Sequence, residues 1–292
     1  MKIRIGSRES RLAVIQAELL IRELRKIPGV EPELVTMKTT GDRILDRTLD
    51  QVGGKGLFVK ELDAALREGR VDLTVHSMKD LPAELPEDLP LLAVSRREDP
   101  RDALVLPAGR SAPEPGKPLG CASQRRAAQL PALFPGFAVR PVRGNVLTRL
   151  EKLDRGEYGA LVLALAGLRR LGLEGRASRL FPAEELLPAA CQGILAVQGR
   201  RDFDRALLAG FHDAEAALAA RAERAFVRAL GGGCSAPAAA YAVREGGLLF
   251  LRGFDKGPDG VWKGGLRGPA EEPEALGLAL AEQRKEDAAH GA

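Results

Sequence analysis

The chain has 292 residues, is 45% hydrophobic and 29% charged, and carries a net charge of +4. That length suits about two or three domains, and 4% aromatic content with so slight a charge argues against nucleic-acid binding. Cys121, Cys191 and Cys234 lie far apart, and with only three histidines they support neither a disulfide framework nor a zinc site, so a reducing, cytoplasmic setting is expected.

A first strand is predicted over residues 2–5, with no apolar signal-peptide core. Ser10 is placed to cap a helix over 11–26, with Leu12, Ile15, Leu19 and Leu20 as its apolar face and Pro28-Gly29 as its stop. A strand follows over 33–39, then a loop containing Gly53-Gly54-Lys55-Gly56, then a helix over 57–68 stopped by Gly69. The next strand alternates Val71, Leu73 and Val75 with Asp72 and Thr74, then runs into His76, Ser77, Lys79 and Asp80, and Pro82 forces a turn. Residues 82–118 are proline-rich, with short strands over 91–94 and 103–106, and read as a crossing between domains. A second series starts near Leu119: a helix over 123–130 ended by Pro131, a strand over 138–142, a helix over 146–155 and a buried strand over 160–165. That last apolar run is too short to span a bilayer. Residues 194–197 are expected to return to the first sheet. From Asp213 the pattern changes to a long helix over 213–230, three strands (238–243, 248–254, 261–266) and a closing helix over 271–285, which read as a small α+β domain.

The carboxyl ends of parallel strands are where α/β sheets bind ligands, so the polar run His76 to Asp80 marks a candidate site, although a polar surface turn fits the residues equally well. The Gly53–Gly56 loop precedes a helix and suits an anion, but it has neither P-loop nor dinucleotide spacing. Of the 44 basic residues 33 are arginine, and Asn145 is the only asparagine. Arginine forks bind carboxylates and phosphates, while thermal adaptation explains the same bias. Ser123-Gln-Arg-Arg126 opens a helix with two cations where the dipole favours anions. Arg143-Gly-Asn145, with Arg149 a turn later, repeats that arrangement, and solvated surface arginines would look the same. Cys234 follows three glycines, an open way to display a thiol.

In order along the chain, Gly6-Ser-Arg-Glu-Ser10, Val52-Gly-Gly-Lys-Gly-Leu-Phe-Val-Lys-Glu61, Val75-His-Ser-Met-Lys-Asp80, Arg97-Glu-Asp-Pro-Arg-Asp102, Arg143-Gly-Asn145, Ala166-Gly-Leu-Arg-Arg-Leu-Gly172 and Gly232-Gly-Cys234 resemble the porphobilinogen deaminase (hydroxymethylbilane synthase) family. The resemblance implies a transferase of tetrapyrrole (porphyrin, heme) biosynthesis that condenses four porphobilinogen molecules head to tail with loss of ammonia, then hydrolyses off linear hydroxymethylbilane. It implies a covalent dipyrromethane cofactor, attached by a thioether to Cys234. By the same resemblance Asp80 is the catalytic acid and a cofactor contact. Lys55, Ser123, Arg125, Arg126 and Arg143 hold the cofactor, and Arg8, Ser10, Arg143, Arg149 and Arg170 hold the substrate. No metal, nucleic acid or membrane is implied, and a monomer is expected.

The implied fold is α/β: two doubly wound domains like type II periplasmic binding proteins (1–96 with 194–212, and 97–193), and a third, α+β domain (213–292) that carries the Cys234 loop to the cleft between them. Gln51, where many relatives have lysine, and Cys121 and Cys191, where small residues are expected, depart from the family pattern. The rival is a non-catalytic anion-binding protein of the same fold, which would leave Asp80 and the displayed Cys234 without a purpose.

Overall fold

The computed structural model describes residues 1–43, 59–232 and 236–290. The chain forms two compact units, Met1–Glu98 with Gly193–Ala216, and Asp99–Gln192 with the residues from Ala217 onward. In chain order the first unit holds β1 (Lys2–Arg8), α1 (Arg11–Leu24), β2 (Glu31–Met37), α2 (Thr40–Arg43), α3 (Lys60–Arg67), β3 (Leu73–Ser77) and β4 (Leu91–Val94). The second unit contributes β5 (Asp102–Val105), β6 (Leu119–Cys121), α4 (Gln124–Leu133), β7 (Val139–Pro141), α5 (Val146–Asp154), β8 (Ala160–Ala164), α6 (Leu165–Arg170) and β9 (Arg179–Leu180). β10 (Leu195–Gly199) lies in the first sheet. The chain ends with α7 (Ala214–Ala229), β11 (Ala238–Glu245), β12 (Leu248–Gly257), β13 (Gly260–Pro269) and α8 (Pro273–His290).

The two large sheets share one winding. The first has the order β2-β1-β3-β10-β4 and the second β7-β6-β8-β5-β9. In each, a parallel trio is followed by one antiparallel strand, β10 or β5, that the chain lays down just after passing from one unit to the other. Both faces are covered, which is why the strands read as apolar runs. In the second sheet Ala103, Val105, Leu161 and Leu163 pack with Leu150, Leu153 and Leu168, while Leu104, Ala160 and Val162 pack with Leu130, Phe181 and Leu186. In the first, α1 covers one face with Ala17, Leu20, Ile21 and Leu24 against Ile3, Ile5, Leu73 and Val75, and Ala65 and Leu66 of α3 join Val71 and Leu89 in a separate core cluster.

Three local readings change. The buried stripe of α1 is Ala13, Gln16, Ala17, Leu20, Ile21 and Leu24, so of the four residues expected only Leu20 is fully buried. Small alanines let the helix approach the sheet, and the bulkier Leu12, Ile15 and Leu19 take its flanks. Pro131 lies inside α4. It removes one donor, and with a single turn remaining the helix closes with Phe134 N–H on the Leu130 carbonyl at 2.9 Å. The two-residue β9 was not foreseen.

The C-terminal part is an antiparallel sheet in the order β11-β12-β13. Its alternate residues Leu249 and Leu251 face Ala222 and Phe226 of α7 and Leu276 and Leu280 of α8. No helix among the described residues is long and apolar enough to cross a membrane.

Candidate active site

In the first unit β1 and β3 are adjacent and parallel, so both end at one edge of the sheet. Arg8 is the last residue of β1. Ser10 follows as the N-cap of α1, its hydroxyl accepting from the Ala13 N–H at 3.4 Å. Ser77 ends β3, and the chain then tightens into a single 3-10 turn, Met78–Asp80, which Leu81 N–H closes on the Met78 carbonyl. Two contacts fix this turn. The Met78 N–H donates to the Ile194 carbonyl at 3.0 Å, and Gln16 Nε2 donates to Ser77 Oγ at 2.9 Å. Asp80 is exposed at the edge, open to a substrate. Lys79, half-buried between Ser77 and Asp80, belongs to the same polar run but was not singled out as a contact.

His76 differs from its polar neighbours. It is 7% exposed, its Nε2 shares a 2.9 Å hydrogen bond with Thr74 Oγ1, and burial first, then the charge of Arg8, pushes its pKa down to about 4. It is a neutral imidazole and not a proton source near neutral pH.

In the second unit β6 is parallel to both β7 and β8, and the groups that follow these strands share an edge. Ser123 is the N-cap of α4, yet its side chain makes no capping bond, and the first turn holds no acidic residue. Arg125 and Arg126 are not solvated surface arginines, one of the two readings the helix start allowed. Their side chains are 3% and 5% exposed and both pair with the buried Asp102 carboxylate, at 2.8 and 2.7 Å. Burial alone would raise the Asp102 pKa, but the two guanidiniums hold it far below the carboxylate range. Asn145 caps α5, accepting from Thr148 N–H at 3.0 Å. Arg149 Nε donates to the Gly144 carbonyl at 2.8 Å, folding that side chain back over the Arg143–Asn145 loop. Arg170 closes α6, the short helix that leaves the end of β8.

The structure thus gathers Arg8, Ser10 and Asp80 at the edge of one sheet, and Ser123, Arg143 and Arg149 at the corresponding edge of the other, with Arg170 on the helix after β8. Lys55, Gln51, Cys234 and the Gly53–Gly56 loop lie outside the described residues. Cys121 and Cys191 are buried. Gln16 and Asp102 went unnoticed. Gln16 carried no signal beyond being a polar residue on an apolar helix stripe, whereas Asp102 had one, since a carboxylate opening an apolar strand demands a partner.

A twice-repeated α/β winding, with cationic and hydroxyl groups at the carboxyl edges of both sheets and the exposed Asp80 carboxylate at one of them, places the chain in the α/β class. The comparisons sharpen this, because the chain belongs to the porphobilinogen deaminase family. Residues 3–208 match the family model "Porphobilinogen deaminase, dipyromethane cofactor binding domain", and residues 217–286 match "Porphobilinogen deaminase, C-terminal domain". It is 56% identical over 283 residues to the porphobilinogen deaminase of Acetivibrio thermocellus, covering 96% of this chain and 97% of that one. It is also 56% identical over 294 residues to that of Alkaliphilus oremlandii, covering 100% and 99%. A distant likeness to the periplasmic aliphatic sulphonate binding protein SsuA from Escherichia coli (15% identity, TM-score 0.41, 79% of this chain and 70% of that one) carries no weight beside these. The chain is therefore an enzyme, a transferase of tetrapyrrole synthesis, of a family that uses a dipyrromethane cofactor.

Proposed function

We propose that this enzyme joins four porphobilinogen molecules head to tail, releases ammonia at each step and finally frees linear hydroxymethylbilane by hydrolysis. The observation that carries the proposal is the start of α4. The Ser123 hydroxyl is not used in capping, and the Arg125 Nε–H is buried with no hydrogen-bond partner among the described residues. A buried donor such as the Arg125 Nε–H is costly without an acceptor unless a ligand completes it, and the acetate and propionate arms of pyrroles are acceptors of the right charge. Ser123 and Arg125 suit the carboxylates of dipyrromethane; Lys55, Arg126 and Arg143 would complete the set that holds it, and Cys234 would carry it through a thioether. When bound, the cofactor supplies the fixed end from which the product grows. Arg8, Ser10, Arg143, Arg149 and Arg170 take the substrate's carboxylates, since guanidinium stays charged at any working pH.

In each coupling the aminomethyl C–N bond of one pyrrole breaks, a C–C bond forms from that methylene to the free α-carbon of the next, and the α-hydrogen leaves as a proton. Asp80 gives a proton to the departing amine, faces the cationic carbon while it lasts, and takes the α-proton back, ending unchanged. His76, held neutral by burial, lacks the acidic imidazolium proton and leaves that work to Asp80.

Mass spectrometry of the purified protein, alongside porphobilinogen consumption, tests this reading. Added pyrrole mass on the Cys234 peptide is expected, and an unmodified Cys234 in protein that turns over porphobilinogen would reject the attachment.

A further inference from the structure

Asp102, the first residue of β5, is wholly buried, and its carboxylate accepts from three side chains: Arg125 at 2.8 Å, Arg126 at 2.7 Å and Gln192 Nε2 at 2.8 Å. Each guanidinium is gripped on its other arm by a backbone carbonyl, Arg125 by Leu187 at 2.6 Å and Arg126 by Val162 at 3.1 Å. Gln129 in turn fixes Leu187, accepting its N–H at 2.9 Å and donating to its carbonyl at 3.2 Å. Asp102 supplies the negative charge that the first turn of α4 lacks. That charge is divided, however. Burial and the neighbouring charge of Arg126 outweigh Asp102 at Arg125, whose pKa lies below the usual range.

Building on the reading of α4 as a carboxylate-binding end, we propose that Asp102 is its positioning residue. One buried carboxylate locks two guanidinium planes while leaving Arg125 with attraction to spare for a carboxylate arm of the pyrrole chain. Two guanidiniums set against one carboxylate leave the cluster with a net positive charge. Here the sharing is itself the device, since it keeps the donors oriented before the ligand arrives, so less ordering accompanies binding.

The test is a double-mutant cycle on the full chain: wild type, Asp102→Asn, Cys234→Ser and the double variant. Urea midpoints, intact mass and the KM and kcat for porphobilinogen are measured. Asp102→Asn should lower stability in both backgrounds, and lower it more where the cofactor is attached. It should raise KM at least tenfold in the folded, cofactor-bearing fraction while kcat falls less. Equal stability losses in the two backgrounds together with an unchanged or lowered KM would overturn the proposal. Should Asp102→Asn fail to fold, Asp102→Glu keeps the charge and shifts the carboxylate by one methylene. It should likewise raise KM, and a normal KM in that variant counts against the role. A Cys234→Ser protein that still carries pyrrole mass defeats the attachment reading instead and leaves the KM comparison standing.

Discussion

Gln16 and Ser77 are joined across two elements, the buried Gln16 amide of α1 donating to the hydroxyl that ends β3 at 2.9 Å. The bond ties the first helix to the turn that displays Asp80, three residues on. Gln16→Leu keeps the volume and removes the donor. We expect a stability loss on the order of 1 kcal/mol, the usual net worth of such a bond. Turnover should fall further than this loss explains, because the turn is no longer held. Comparing kcat with the urea midpoint of the same preparation checks it, and a kcat equal to wild type would show that the turn holds itself.

Asp80→Asn preserves shape at an exposed position and removes the proton carrier. The variant should fold and keep its cofactor, while ammonia release from porphobilinogen drops by about 100-fold or more, the range for losing a general acid–base. Near-normal ammonia release would transfer the role to another group.

His76 gives stability a specific pH dependence. Its folded pKa, about 4, lies below the ordinary 6.5. The unfolded chain therefore takes up a proton that the folded chain resists. Stability is undiminished above pH 6.5, falls as pH drops towards 4, and loses at most about 3 kcal/mol to this group. His76→Asn should flatten the decline between pH 7 and 5, a window in which ordinary carboxylates titrate little. Parallel slopes for the two proteins would assign the decline elsewhere.

Asp63 works in the opposite direction. Buried in the first turn of α3 with one carboxylate oxygen lacking a hydrogen-bond partner, it has its pKa raised from 3.8 to about 6, chiefly by burial; Asp88 adds to the rise and Arg67 opposes it. Below 3.8 both states are protonated and nothing is lost, whereas above 6 the folded state carries the full cost of the charge. Asp63→Asn removes that cost, up to about 3 kcal/mol, and gives up about 0.5 kcal/mol of attraction to the helix dipole. A net gain on the order of 1–2 kcal/mol is expected at pH 7, shrinking towards pH 5. A loss at pH 7 in urea unfolding would mean the carboxylate is better served than its burial suggests.

How much of this was legible in the sequence follows from the range of each interaction. The strand ending at Ser77 and the helix capped by Ser10 were readable because period, cap and stop lie within a few residues. The polar run to Asp80 was readable because charges at a strand end conflict with burial. The antiparallel pairing of β10 with β3, Leu195 opposite Ser77, joins residues too far apart for any local pattern to record. The same distance hid the Arg125–Asp102–Gln192 cluster. Two arginines at a helix start look alike whether they face water or a buried carboxylate, and only the fold brings Asp102 to them. On α1, ranking large aliphatics above alanine misplaced the buried stripe and passed over Gln16.

Cys191 holds an unusual backbone conformation. Its φ is +62°, the one non-glycine in the left-handed region among the described residues, and its N–H is held at 2.6 Å by the buried Glu223 carboxylate. Two residues on, Gly193 has φ +92°, and a Cβ there would lie 2.1 Å from the Glu98 carbonyl oxygen, so this bend needs small residues. A side chain at φ +62° costs about 1–2 kcal/mol, while the buried thiol returns part of that as a small apolar group. Cys191→Ala keeps the strain and loses the thiol's packing, whereas Cys191→Gly loses the packing and relieves the strain. The glycine variant should therefore be more stable than the alanine variant by about 1 kcal/mol, the reverse of the order at an ordinary buried site. Cys191→Val, β-branched, should be the worst of the three. Urea midpoints for the three proteins measured side by side decide it, and an alanine variant more stable than the glycine one would show that the bend is not strained at this residue.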